Sequence, residues 1–220
     1  MVYSNILFDL DGTLTDPKVG ITKSVQYALN KFGIKAELEN LVSFIGPPLQ
    51  GSFKEYYGLN EENSKKAVEY YREYFALYGI YENEVYSEIE DLLQELRNRG
   101  AMLIVATSKP TKFAKLILEH FKLDQYFDVI KGSNLDGSLS DKTELISYII
   151  SEQKMDTKKS IMIGDRKHDI IGAINCGIDS IGVGYGYGTE DELTKAGSTA
   201  YVKTVVDLRN LLIEKVGENY

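Results

Sequence analysis

The chain has 220 residues, of which 43% are hydrophobic and 26% are charged, a mixture typical of a globular protein with a substantial core. Acidic residues outnumber basic ones by 33 to 25, and the net charge of −8 argues against a nucleic-acid polymer as a partner. No apolar run reaches the ~20 residues of a membrane-spanning helix, and no signal sequence precedes the first apolar stretch. We therefore expect a cytoplasmic protein without a membrane partner.

The first predicted element is a buried strand that ends in acidic residues. The apolar residues 6–8 are followed by Asp9 and Asp11, then by Gly12 and two threonines. Apolar runs bounded by turn residues are typical of parallel-sheet strands, and such sheets bind ligands beyond the carboxyl ends of their strands. Two carboxylates this close repel each other unless a cation lies between them or one is protonated. The stretch predicts a functional site at Asp9 and Asp11, beside a sharp turn that Gly12 permits.

A long helical segment separates this strand from the next one. Helical spacing of apolar residues predicts helices over 17–32 and 61–77, with a shorter helical piece ending near residue 58. We expect nothing strand-like before Met102. An insertion of this length between two core strands predicts a domain of its own, because such connections are usually short. We assign residues 17–85 to a helical domain and residues 1–16 and 86–220 to the core.

The rest of the chain alternates between helices and strands, which is typical of an α/β fold with a parallel sheet. Polar residues again follow or flank the strands: Thr107 and Ser108, Lys142 at a helix start, and Asp165. The predicted elements are strands at 102–106, 126–131, 160–163 and 180–183, a strand-like pair at 201–202, and helices at 87–99, 111–120, 142–153, 169–177 and 205–216.

These polar residues suit the hydrolysis of a phosphate monoester, in which negative charge must be neutralised before a nucleophile can approach. Asp9 and Asp165 can share Mg2+, which favours a few carboxylates together with water and phosphate oxygens. Thr107 and Ser108 offer hydroxyl and N–H donors to the transferring oxygens, and Lys142 offers a positive charge.

Three carboxylates take further predicted roles. Asp9 is placed to attack phosphorus and form an aspartyl-phosphate. Asp11 is placed to protonate the leaving oxygen and later to deprotonate the attacking water. Asp169, one helical turn after Asp165, can orient Lys142 or a metal-bound water.

Four groups of residues, in chain order, resemble the four motifs of the haloacid dehalogenase-like (HAD) hydrolases over residues 7–177. They are Asp9 with Asp11, Thr107 with Ser108, Lys142, and Asp165 with Asp169. The first motif is Asp-Leu-Asp-Gly-Thr-Leu-Thr at residues 9–15. The resemblance implies a Rossmann-like sheet of strand order 3-2-1-4-5 with a helical cap inserted after the first strand. It also implies a site composed of the nucleophile and metal ligand Asp9, the acid/base Asp11 with its carbonyl on the metal, the phosphate- or substrate-binding Gly12, Thr107, Ser108 and Lys142, the metal ligand Asp165 and the supporting Asp169.

Two segments point to a branch within this family. Gly-Asp-Arg-Lys-His-Asp at 164–169 and Gly-Tyr-Gly-Tyr-Gly-Thr-Glu at 184–190 are similar to a 5′-nucleotidase branch. We therefore expect a nucleoside 5′-monophosphate phosphatase that acts on a small phosphorylated metabolite without an obligate protein partner. Thr-x-Lys-Pro at 107–110 is shared with phosphoglycolate phosphatases, so that activity is the alternative, as is another small-metabolite phosphatase or a phosphomutase.

Several assignments stay open at the level of sequence. Lys131 is the alternative to Lys142 as the third-motif lysine. Arg166, Lys167 and His168 are either solvated or close to the substrate. For the cap, Lys54 is the candidate cation for a second substrate anion. The residues of the cap that could stack on a nucleoside are Phe44, Phe53, Tyr56 and Tyr57.

Overall fold

The computed structural model describes residues 2–217, which fold around a parallel sheet. The strands in chain order are β1 (Asn5–Phe8), β2 (Thr15–Asp16), β3 (Glu84–Val85), β4 (Met102–Pro110), β5 (Val129–Ser133), β6 (Ser160–Gly164), β7 (Asp179–Val183) and β8 (Ala200–Val202). The α-helices are α1 (Lys18–Asn30), α2 (Leu49–Tyr57), α3 (Glu61–Tyr74), α4 (Ile89–Asn98), α5 (Thr111–His120), α6 (Lys142–Gln153), α7 (Lys167–Asn175), α8 (Glu190–Lys195) and α9 (Val205–Lys215).

Within the described residues, six strands form the sheet in the order β5-β4-β1-β6-β7-β8, and all neighbouring pairs are parallel. The α/β fold is confirmed, and the first five core strands lie in the predicted 3-2-1-4-5 order. The predicted order was incomplete, because the strand-like pair at 201–202 forms a sixth strand at the edge. Since β1 lies between β4 and β6, Asp9 emerges between the ends of those two strands.

The alternation of side chains along β1 explains the layers on either side of the sheet. Ile6 and Phe8 point into one apolar cluster, which includes leucines of α4 and α9 and the buried side of α5. Leu7 points into a second cluster with the buried residues of α6 and α7. Helices therefore cover both faces of the sheet, and only its ends are open for a site.

The helical insertion begins and ends at a small antiparallel pair of strands. Thr15 pairs with Val85 and Asp16 with Glu84. The chain therefore enters and leaves the insertion through two neighbouring segments. Our expectation of no strand before Met102 is wrong here, because two-residue strands are too short to show an alternating pattern. The division into residues 17–85 and a core of 1–16 and 86–220 stays a prediction, and residue 1 and residues 218–220 of that core lie outside the described residues.

Smaller differences concern the ends of elements. The predicted helix at 61–77 ends at Tyr74, and residues 75–79 form a π-helical turn. The third core strand begins at Val129 rather than 126, after a 3-10 turn at 124–126. Helix α8 was not predicted; its N-cap Thr189 accepts a hydrogen bond from the N–H of Glu192. In the part of the chain that the structure describes, no helix is long and apolar enough to cross a membrane.

Candidate active site

A tight turn after β1 places the first two acids. The N–H of Asp9 donates to the carbonyl of Ile163 at 2.9 Å, which continues the pairing with β6. Gly12 has a φ of +83°, and a Cβ there would lie 2.2 Å from Oδ2 of Asp165. Only glycine fits such a turn without strain, so Gly12 is what allows the first motif to approach Asp165.

Lys142 lies at the centre of the site. Its Nζ is 2.9 Å from Oδ1 of Asp9 and 2.6 Å from Oδ1 of Asp169, and it donates to the carbonyl of Ala106 at 2.7 Å. Burial alone would lower the pKa of this lysine, but the two carboxylates raise it above its usual value. Lys131 lies elsewhere, with its Nζ 4.3 Å from the ring centroid of Tyr148.

Asp9, Asp165 and Asp169 form a buried acidic cluster, with carboxylate oxygens within 4.8 Å of one another. Burial and the neighbouring acids hold the pKa of Asp165 well above its usual value. Burial also raises the pKa of Asp169, to about 6, although Lys142 opposes the shift. Oδ2 of Asp165 accepts the N–H of Tyr187 at 2.8 Å. Oδ1 of Asp165 has no hydrogen-bond partner among the described residues.

Asp11 forms a separate ion pair. Its Oδ2 is 2.8 Å from Nζ of Lys109, and this ammonium also lies 4.4 Å from the ring centroid of Phe75 in the helical insertion. Burial raises the pKa of Asp11, and Lys109 opposes the shift. Asp11 is therefore a buried carboxyl group next to a cation that contacts the insertion.

Thr107 and Ser108 lie at the end of β4. Oγ1 of Thr107 accepts the N–H of Lys109 at 3.2 Å, so its own hydroxyl hydrogen remains available to a ligand. The hydroxyl of Ser108 donates instead to the carbonyl of Ser140 at 3.0 Å. The hydroxyl predicted to bind phosphate therefore has a partner within the protein, and the role of the Ser108 backbone N–H stays a prediction.

A cavity of about 350 Å³ opens beside Asp11, between the helical insertion and the core. Of the four predicted stacking residues only Phe44 lines it; Phe53, Tyr56 and Tyr57 pack around the ring of Phe44. Lys54 is not in its wall and pairs with Glu61. The aromatic lining residues are Phe44, Tyr71, Phe75 and Phe113.

A family model for haloacid dehalogenase-like hydrolases matches residues 6–183. The chain belongs to this family. It is a phosphoric monoester hydrolase, as the family match, a relative named 5′-nucleotidase and the solved structure of a predicted phosphatase support.

One relative is a 5′-nucleotidase from Pseudomonas aeruginosa, 49% identical over 96% of each chain. A second, the tyrosine-protein kinase PtkA of Mycobacterium tuberculosis, is 37% identical over 94% of this chain and 72% of that protein. A phosphoglycolate phosphatase from Vibrio parahaemolyticus is 28% identical over 83% of this chain and 84% of its own. A crystal structure described as a predicted phosphatase from Clostridium acetobutylicum has a TM-score of 0.96 and 51% identity over 97% of this chain and 100% of that one.

HAD phosphatases generally use a divalent metal, and the acidic cluster of this one fits such an ion. When all three buried carboxylates are ionised, the single ammonium of Lys142 leaves two negative charges to be balanced, which is the charge of one divalent cation. Oδ1 of Asp165 is also a buried acceptor that lacks a donor. Carboxylate oxygens are the ligands that Mg2+ prefers.

Two residues of this HAD site escaped sequence reasoning. Lys109 was noted only as part of a shared motif, although it is buried and paired with Asp11. Tyr187 joins the loop after β7 to the site, because its N–H donates to Asp165 and its hydroxyl donates to Asp16. In the sequence, Lys109 comes two residues after Thr107, and Tyr187 lies between two glycines. Neither pattern indicates which residue the lysine or the tyrosine binds.

The residues after Asp165 differ in their surroundings. Lys167 is exposed, as the solvated interpretation predicted. His168 is half-buried, and burial lowers its pKa. Arg166 is neither solvated nor part of the cavity wall: its side chain is 14% exposed and its Nε is 3.1 Å from Oε1 of Glu192.

Proposed function

We propose that this HAD phosphatase hydrolyses nucleoside 5′-monophosphates with Mg2+, by transient phosphorylation of Asp9. The observation that carries the proposal is that Asp11, two residues after Asp9 of the acidic cluster, lies in the wall of a cavity with aromatic lining residues. The 49% identity to a protein named 5′-nucleotidase supports the same substrate class.

Asp9 is the proposed nucleophile. Lys142 holds its Oδ1, which fixes the orientation of the carboxylate and leaves the second oxygen to attack phosphorus. The hydroxyl of Thr107 and the backbone N–H of Ser108 donate to the phosphoryl oxygens, and the ammonium of Lys142 attracts them. Asp9 and Asp165, with the carbonyl of Asp11, are the proposed ligands of Mg2+, which supplies positive charge to offset the phosphate and the acids.

Asp11 is the proposed acid and base. Burial favours its protonated form, so it can protonate the leaving oxygen and then accept a proton from the water that hydrolyses the phosphorylated Asp9. Asp169 has a supporting role, since its Oδ1 holds Lys142 and its Oδ2 accepts the N–H of Arg166 at 3.1 Å. Gly12 is proposed to bring the backbone close to the phosphate.

The cavity favours a nucleoside over a small acid as the leaving group. Its volume of about 350 Å³ lies within the ~300–1,000 Å³ usual for small-molecule sites, and a two-carbon acid would fill little of it. The cations in its wall already have acidic neighbours: Lys109 pairs with Asp11, Lys65 with Glu61 at 3.2 Å, and Glu69 acts electrostatically on Arg72. Two of these cations, Lys109 and Lys65, are thus already in ion pairs, which weakens the case for a second substrate anion.

Phosphoglycolate phosphatase activity is the second candidate because of Arg72. This arginine lies in the cavity wall, where its Nη1 donates to the carbonyl of Leu135 at 2.9 Å. A substrate carboxylate that took over this hydrogen bond would gain a charged partner. The relative from Vibrio parahaemolyticus carries the corresponding name.

The test is a comparison of kcat/KM for AMP, UMP and phosphoglycolate at one Mg2+ concentration, repeated with a chelator. We expect both nucleotides to lead by several-fold, since each aromatic contact contributes only ~1 kcal/mol. A tenfold lead for phosphoglycolate would replace the nucleotidase proposal by the second candidate. ATP with detection of phosphotyrosine belongs in the same panel, because one relative is named a tyrosine kinase. A small phosphorylated metabolite as substrate, the lack of an obligate protein partner and a cytoplasmic location stay predictions.

A further inference from the structure

Arg166 connects the acidic cluster to the helical insertion. It directly follows Asp165, and its Nη1 donates to the carbonyl of Ile45 at 2.6 Å. Ile45 is fully buried, in the apolar cluster that also receives Ile6 and Phe8 of β1. A core side chain therefore holds the main chain of the insertion at a fixed place.

The next residue, Gly46, is shaped to receive the arginine. Its φ is +101°, and a Cβ there would lie 2.8 Å from Cγ of Arg166. The stem of the arginine thus lies against the backbone where a side chain would otherwise project. Gly46, Pro47 and Pro48 are consecutive residues of the cavity wall. The side chain of Arg166 therefore contacts the first of these three wall residues without lining the cavity itself.

Glu192 holds the arginine in this orientation. Its Oε1 is 3.1 Å from Nε of Arg166 and accepts the N–H of Lys167 at 2.9 Å. The side chains of Arg166 and Glu192 are 14% and 21% exposed, so their ion pair is largely shielded from solvent. A guanidinium can bind both partners because its N–H groups project in different directions.

We propose that Arg166 is a positioning residue that sets leaving-group specificity: by holding the carbonyl of Ile45, it fixes the adjoining residues 46–48 in the cavity wall. Arg166 does not line the cavity, so it acts on the substrate through this segment rather than by contact. Large leaving groups that reach the wall depend on it, whereas small ones do not. The inference rests on the proposed function only for the choice of a nucleotide as the large substrate.

The experiment compares Arg166→Met with the wild type on AMP and on acetyl phosphate, whose leaving group is too small to need the wall. We expect kcat/KM for AMP to fall about ten- to a hundredfold, the range for losing a hydrogen bond from a charged donor. Most of the loss should be in KM, while acetyl phosphate should change by less than about threefold. Activity on acetyl phosphate also shows that the variant is folded and that its acidic cluster is intact.

Two further variants separate positioning from a general effect. Arg166→Lys keeps a cation but lacks the second arm, so we expect partial recovery of KM for AMP. Arg97→Met is the matched control, because it breaks another arginine–carboxylate pair, with Asp128 at 2.7 Å, away from the cavity. It should leave both substrates unchanged.

Equal losses on AMP and acetyl phosphate, or no loss on AMP, would overturn the inference. If the wild type does not hydrolyse nucleotides, the proposed function fails separately, and the bulkiest phosphate that it does cleave replaces AMP. An unchanged ratio of large to small substrates in Arg166→Met would then overturn the role of Arg166 by itself.

Discussion

Replacing Lys142 with methionine removes the ammonium group between Asp9 and Asp169 while keeping most of the side-chain volume. The two carboxylate oxygens lie 2.9 and 2.6 Å from Nζ. At an effective dielectric constant of ~20, each such pair attracts with about 6 kcal/mol. Withdrawing the three groups from water offsets much of this attraction. We expect the free energy of unfolding to fall by roughly 3–5 kcal/mol, the usual result of removing one partner of a buried ion pair.

The assay is urea unfolding at neutral pH, in EDTA and again in Mg2+. The loss should be smaller with Mg2+, because a cation at the acidic cluster relieves the repulsion that the mutation exposes. Lys131→Met is the matched control: its ammonium lies over the ring of Tyr148, a contact that contributes ~0.5–1 kcal/mol. For phosphatase activity we expect kcat/KM to fall at least ~10²-fold in Lys142→Met and to be nearly unchanged in Lys131→Met.

The opposite pattern would refute this reasoning. If Lys131→Met abolished activity and Lys142→Met had little effect on activity or stability, the third-motif lysine would have been misassigned. An equal loss of stability in EDTA and in Mg2+ would show that the acidic cluster does not hold the cation.

Asp9→Asn should abolish turnover, because an amide cannot attack phosphorus; a mutant with a tenth of the wild-type rate, or no phosphorylated Asp9 in rapid-quench experiments on the wild type, would place the nucleophile elsewhere. Asp11→Asn should slow hydrolysis of AMP by about 10²–10⁴-fold and affect the single-turnover burst from an aryl phosphate less; equal losses would rule it out as the leaving-group acid. Gly12→Ala should lower the melting temperature and weaken Mg2+ binding measured by calorimetry, since its Cβ would meet Asp165; unchanged binding would contradict the close approach. Burial raises the pKa of Asp169 to about 6, so the folded state binds this proton more tightly than the unfolded state does. In EDTA, the free energy of unfolding of the wild type should therefore fall relative to that of Asp169→Asn as pH rises from about 4 to about 6. A difference between the two proteins that does not change with pH would contradict the raised pKa.

Much of the fold followed from short apolar runs, and the candidate site followed from the acids after them. Asp9 and Asp165 end neighbouring strands, so the parallel sheet itself brings them together. Lys109 could not be assigned, because nothing local marks a lysine as buried or names Asp11 as its partner. The partner of Arg166 was equally hidden: it is a main-chain carbonyl 121 residues away, and a carbonyl has no sequence signature.

The cavity wall was harder to predict than the acids. Helical periodicity identifies an apolar face but does not say whether that face meets the core or an open space. Phe53, Tyr56 and Tyr57 therefore looked as suitable as Phe44, yet they pack around it. Tyr71 and Phe75 line the cavity instead, although both also belong to the buried apolar core.

The central place of β1 in the sheet has a consequence for how the protein folds. This strand precedes its partners in the chain by long stretches: Asn5 pairs with Met102 on one side and with Ser160 on the other. Contacts between residues so far apart in the sequence form slowly. Helices α1 and α3, which also contact each other, are separated by a shorter stretch of chain. Asp9 cannot join Asp165 until the chain has been made beyond Gly164 and the sheet has closed around β1. Recovery of phosphatase activity during refolding should accordingly mark the completion of the sheet, later than the recovery of helical signal.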